Sequence, residues 1–201
     1  MKTPQELDTW LDTLYEKGAE NDRQASHHRE MMLNITPETG RFLAMLVDGY
    51  RPNRILEIGT SNGYSTLWLA RAAKTVRASI DTVEFNPAKV RMAVSHFAES
   101  GFEKTITVQM RDAGDYLASC EDNHFDFVFL DSDRGRYQDW SDDLLRVLDF
   151  GVMVIDNAVS HPEELIQLRE RIDSESDLES VTLPIGNGQL VVTSRWVTHT
   201  N

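Results

Sequence analysis

Residues 54–65 read RILEIGTSNGYS. Arg54 to Ile58 form a short, largely aliphatic run of strand type. Gly59 and Gly63 then frame a loop, and TLWLARAAK, residues 66–74, continues as a helical run. A strand that passes through a glycine loop into a helix is the opening half of a βαβ unit, so the question is how often the pattern recurs. It recurs along most of the chain. ASIDTVE (78–84), TITVQM (105–110), FDFVFLD (125–131) and GVMVIDN (151–157) are further strand-like runs. The helical segments 65–74, 86–100, 113–120 and 136–149 separate them. Alternation of this kind implies parallel strands with helices on both faces, a Rossmann-like, doubly wound α/β sheet.

The two ends of the chain differ from this middle. SHPEELIQLRERI (160–172) reads as a helix, and residues 179–195 read as two strands joined by Gly186-Asn187-Gly188. That hairpin makes the last strand antiparallel to its neighbour, giving a mixed sheet of seven strands. Residues 1–50 are mainly helical. Thr3 and Glu6 have capping-box spacing, Pro4 sits at a first helical position, and Leu7, Trp10, Leu11 and Leu14 share one face. Residues 36–50 repeat the Thr-Pro opening above a stripe of Phe42, Leu43, Leu46 and Val47. No domain boundary is visible, and one domain over 1–201 is expected.

Composition narrows the function. The chain has 201 residues and a net charge of −13, from 33 acidic and 20 basic side chains. Such a surface disfavours nucleic acid as a partner. The single cysteine, Cys120, excludes an internal disulfide framework. No run has the length of a membrane span and the N-terminus carries no apolar leader, so a cytoplasmic protein is the simplest expectation. A homodimer is compatible with all of this.

The glycine loop says what the sheet holds. Ligands of open α/β sheets bind at the carboxyl ends of the strands. Gly59-x-x-x-Gly63 lacks the middle glycine of the dinucleotide fingerprint. Glu57 just before it adds negative charge, which suits a ligand with a cationic amine or sulfonium better than a pyrophosphate. Glu84 ends the second strand and is placed to accept from ribose hydroxyls. Asp112 ends the third, where it can accept from an adenine amine or simply cap the next helix. An ordinary βα turn accounts for the glycines alone, but not for acids at successive strand ends.

With LEIGTSNGYSTLWLA, DTVEFNPAK, FDFVFLDSDRGRY, VMVIDNA and LPIGNG in place, most of the chain resembles the small class I S-adenosylmethionine-dependent O-methyltransferases. These are the relatives of catechol and caffeoyl-CoA O-methyltransferases. The resemblance implies an enzyme that transfers methyl from S-adenosylmethionine to a small, catechol-like hydroxylated substrate. Its cofactor set would comprise Ile35, Glu57, Gly59, Ser61, Gly63, Tyr64, Ser65, Glu84, Asp112, Ala113 and Asp131. Core packing is the competing account of Ile35, and helix initiation that of Ser65.

The resemblance also implies a divalent cation on Asp131, Asp156 and Asn157, which close the fourth and fifth strands. Hard oxygens of this type suit Mg²⁺, with Ca²⁺ or Mn²⁺ as alternatives. Taken singly, each is as well explained as a cap or turn residue. Many relatives carry a lysine base where this chain has Arg134, and arginine stays protonated. Arg134 is then an electrostatic catalytic residue or a solvated residue of a first helical turn. His161 is the neighbouring candidate base, although Ser160 and Glu163 have the spacing of a capping box around it. Two other functions stay open: a tRNA hydroxy-base methyltransferase, which a basic rim would favour, and a non-catalytic cofactor-binding protein, favoured only by the exchange of lysine for arginine.

Overall fold

The computed structural model describes residues 2–194. Its seven strands stand in the order β3-β2-β1-β4-β5-β7-β6. These are β1 (Arg54–Ile58), β2 (Ser79–Val83), β3 (Ile106–Gln109), β4 (Phe125–Leu130), β5 (Leu148–Ile155), β6 (Leu178–Leu183) and β7 (Gln189–Ser194). The first five are parallel, and β7 runs antiparallel to both β5 and β6. The mixed seven-stranded sheet read from the sequence is the one observed. Arg195, the end of the expected hairpin, lies outside the described residues.

The helices are α1 (Pro4–Gln24), α2 (Pro37–Tyr50), α3 (Tyr64–Val76), α4 (Pro87–Ser100), α5 (Ala113–Ser119), α6 (Tyr137–Val147) and α7 (Ile166–Asp173). Thr3 and Glu6 close their capping box, Glu6 accepting from the Thr3 N–H at 2.8 Å and Thr3 from the Glu6 N–H at 3.3 Å. Helix α1 runs through the polar residues 20–24, and His28–Glu30 form a separate 3₁₀ turn. His27 and His28 are exposed.

Side-chain alternation along the strands fills two apolar layers. Ile55, Phe127, Phe129, Val152 and Val154 face a core with α1, α2, α3 and α4. Leu56, Ile58, Val128, Leu130, Met153 and Ile155 face the other, with α5, α6 and α7. A period of two on a sheet covered on both faces makes every strand residue apolar except where function or hydrogen bonding intervenes. Glu57 is the buried exception in β1, on the α3 side, while Arg54 opens the strand exposed. Strand β5 begins at Leu148, earlier than the sequence suggested, with a register shift against β4. Gly151 permits this, because a Cβ there would lie 2.5 Å from the Asp126 carbonyl oxygen. Among the described residues no helix is long and apolar enough to cross a membrane.

Candidate active site

The register lines up the strand ends. Ile58 pairs with Val83 and with Leu130, and Leu130 pairs with Ile155. Gly59, Glu84, Asp131 and Asp156 are each the next residue, so they share one rim. Gly59 has φ +108°, and a Cβ there would stand 1.8 Å from the Asp131 carbonyl oxygen. The glycine is therefore demanded by the meeting of β1 and β4 itself. Gly63, at φ +86°, starts α3 against the Phe97 ring.

Glu84 is held by backbone. Its two oxygens accept from the Ser61 N–H at 3.0 Å and the Asn86 N–H at 2.9 Å. The loop after β1 is thus tied to the end of β2, with lone pairs left on both oxygens. The Ser61 hydroxyl donates to the Met32 carbonyl at 2.8 Å. Asp112 does cap α5, one oxygen accepting from the N–H groups of Gly114 at 2.8 Å and Asp115 at 3.3 Å. Its other oxygen faces Arg136 at 3.8 Å. Ala113 opens α5 and is nearly buried. Two side chains that the sequence reading missed stand beside these acids. Phe85 is 71% exposed and Met110 60% exposed, at the ends of neighbouring strands. For Phe85 the available signal was a large apolar residue directly following an acid at a strand end; Met110 follows Gln109 and carried no such signal.

Other expected cofactor contacts point elsewhere. The Tyr64 ring is buried against Tyr15 and Trp68, and burial pushes its phenol up to about 12. It is core, and only its backbone belongs to the loop. Ile35 is likewise core. Ser65 uses its hydroxyl inward, donating to Glu57 at 2.6 Å.

Glu57 is fully buried and also accepts from the hydroxyls of Thr66 and Thr82. Burial pushes its carboxyl up to about 7, against the pull of these three hydroxyls and with a smaller push from Glu84. Asp131 lies well above the usual carboxylate range, through burial first, then the charges of Asp156 and Glu57. Asp156 is raised by burial as well, opposed by its hydrogen bond from Gln189 and by Arg134. Gln189, fully buried, donates to Asp156 and reaches Thr39 Oγ1 at 3.4 Å and the Ile185 carbonyl at 3.3 Å.

Asn157 takes a left-handed conformation, φ +66°. Its Oδ1 accepts from Arg134 Nη1 at 3.2 Å, and its Nδ2 donates to Ser160 Oγ at 3.2 Å. Arg134 lies in the 3₁₀ turn Arg134–Arg136 and donates from Nε to Glu164 at 2.8 Å. It stands in the first turn of that 3₁₀ helix, half-buried and paired rather than solvated. The expected capping box at Ser160 is absent. His161 itself precedes the 3₁₀ turn Pro162–Leu165 and makes no side-chain cap. Its Nδ1 lies 2.9 Å from Ser160 Oγ, and its N–H donates to the Asn157 carbonyl at 2.9 Å.

The donor set fits a hard dication. Asp131, half-buried, and Asp156, buried, follow adjacent strands, and each disfavours the other's charge, a situation a bound cation relieves. Among the described residues no three His, Cys, Asp or Glu gather as metal ligands; a third protein oxygen would have to come from a neutral group such as the Asn157 amide.

Known proteins share the sequence pattern and the fold. A family model described as O-methyltransferase matches residues 12–195. A catechol O-methyltransferase from Mycobacterium tuberculosis is 32% identical over 128 residues, 62% of this chain and 57% of that protein. Another, from Niastella koreensis, is 28% identical over 131 residues, 63% of this chain and 59% of the relative. The match thus spans less than two thirds of these relatives' own length. Among solved structures, an O-methyltransferase from Bacillus cereus in complex with SAH superposes with a TM-score of 0.77 at 24% identity, over 92% of this chain and 90% of that one. The shared rim, the sheet order and the family match over residues 12–195 lead to one conclusion: the chain belongs to the O-methyltransferase family.

Proposed function

We propose that the chain acts as one domain, a cytoplasmic S-adenosylmethionine-dependent O-methyltransferase that uses a divalent cation, Mg²⁺ first, on a small catechol-like substrate. The observation that carries this reading is the Asp131–Asp156 pair, the first half-buried and the second buried, set on the same rim as Glu84. Glu84, already oriented by two backbone N–H groups, accepts the ribose hydroxyls with its remaining lone pairs. Asp112 offers the oxygen not used in capping α5 to the base, and Phe85 and Met110 supply apolar surface beside it. Asp131, Asp156 and Asn157 would hold the cation. When bound, the two groups supply the methyl to be transferred and an electrophilic centre that favours the ionised substrate hydroxyl.

The chain's own contribution is then placement and charge. The fixed strand ends bring acceptor and donor into line, and Arg134 adds positive charge beside the oxygen that becomes anionic. Neither Arg134 nor a dedicated base is required to take the proton. Labelled methyl transfer to catechol, with Mg²⁺ and with EDTA, tests the reading. Turnover that is lost in EDTA, and lost in Asp156→Ala while cofactor affinity persists, is expected. Full turnover in EDTA overturns the metal assignment, and failure to bind S-adenosylmethionine overturns the whole.

A further inference from the structure

The cation site of the proposed function already contains a positive charge. Arg134 reaches into it from the 3₁₀ turn after β4. Its Nη1 donates to Asn157 Oδ1 at 3.2 Å, the same amide oxygen that completes the protein's ligand set. The guanidinium also favours the charged forms of both Asp131 and Asp156. On its far side Nε is bonded to Glu164 at 2.8 Å, and Glu164 is 46% exposed.

We propose that Arg134 and a divalent cation are alternative occupants of the Asn157 carbonyl oxygen, so that Arg134 is an internal competitor that sets the metal affinity of this site. This rests on the metal reading above. An amide oxygen donating its lone pair to a dication does not share that direction with a guanidinium. Arginine cannot discharge by losing a proton at working pH, so the repulsion between the two cations persists. Glu164 makes the exchange feasible. The guanidinium can leave Asn157 and remain paired through Nε, so release does not strand an unpaired charge. With the cation absent, Arg134 offsets part of the repulsion between the two carboxylates. With it present, the cation does so. A neutral side chain at this position would leave the carboxylate pair uncompensated until metal arrives.

The test is a Mn²⁺ titration of the full chain followed by electron paramagnetic resonance of free Mn²⁺, with circular dichroism as the check on folding. Wild type, Arg134→Met and Arg134→Gln are compared, the glutamine variant serving where methionine disturbs the fold. Both variants should bind Mn²⁺ at least about tenfold more tightly, since a unit charge near the ligands acts strongly at an effective dielectric of about 20. Equal or weaker affinity than wild type, with wild type binding, overturns the competition while leaving the metal site standing. No binding by any of the three overturns the metal reading, and this inference falls with it.

Discussion

The Gln189 amide donates to Asp156 across 33 residues of sequence, joining the first residue of β7 to the end of β5. Both groups are buried, and the same amide reaches Thr39 in the first turn of α2. One side chain thus fixes a rim carboxylate against two separate elements. Gln189→Leu removes the donor and leaves Asp156 without it. A loss of about 1–3 kcal/mol in stability is expected from urea titration at pH 7, together with weaker Mn²⁺ binding. Unchanged Mn²⁺ affinity would show that the bond serves packing alone.

Glu57 gives a pH dependence whose sign follows from its environment. Its carboxyl is raised to about 7 in the folded chain from an ordinary 4.5. The folded state therefore holds the proton more tightly than the unfolded one. The associated stability is fully present below about pH 4.5 and is lost as pH rises through about 7. Glu57→Gln cannot titrate, so its stability should fall less between pH 5 and pH 8, the difference being about 3 kcal/mol at most. Parallel urea midpoints for the two proteins at both pH values would refute the assignment.

Gly59→Ala should fail for a reason unrelated to any ligand. The left-handed φ disfavours a side chain there, and the new Cβ would press on the Asp131 carbonyl. The conformational strain alone is about 1–3 kcal/mol, and displacing β4 adds to it. Thermal melting should show a large drop, and any folded fraction should bind Mn²⁺ poorly because Asp131 has moved.

Glu84→Ala removes two backbone anchors and, on the proposed function, the ribose acceptor with them. Affinity for SAH, measured by calorimetry, should fall by about tenfold or more, as expected for a charge-assisted bond of about 1.5–3 kcal/mol. Glu84→Gln separates the two roles. It should recover part of the stability and little of the affinity.

His161→Ala distinguishes a base from a loop residue. A general base contributes about 10²–10⁴ in rate. His161 is exposed, and its Nδ1 is engaged by Ser160. A change below tenfold in turnover is expected, with no lost limb in the pH profile. A fall of a hundredfold, with SAH affinity intact, would make His161 the base.

What could be read from the sequence was local. Strand-loop-helix order, the terminal hairpin and the acids at strand ends each lie within a few residues of the feature that reveals them. The strand alternation then fixed which rim they share. The misreadings were contacts between distant segments or choices of helix rotation. Tyr64 opens α3 and could face either way. Packing against Tyr15 of α1 turned it into the core. Ser160 had the spacing to cap a helix, but its hydroxyl accepts from the Asn157 amide, whose left-handed backbone no pattern announced. For Arg134 the sequence left an electrostatic role and a solvated turn residue side by side, because Glu164, its partner 30 residues on, could not be known from spacing. Gln189 was passed over for the same reason.

The interior position of β1, third in the sheet, has a consequence for the order in which a ribosome delivers this molecule. Strands β2 and β3 build outward on one side of β1 before β4 and β5 extend the other. A nascent chain emerged as far as Ser119 carries Glu57, Gly59, Glu84 and Asp112, but none of Asp131, Asp156 and Gln189. A chain halted after β5 and before β7 holds the acidic pair without its buried amide partner. It also presents β5, an apolar strand meant for the middle of the sheet, as a bare edge. Edges of that kind recruit other chains, so prematurely terminated products of this gene should aggregate rather than persist as half-enzymes.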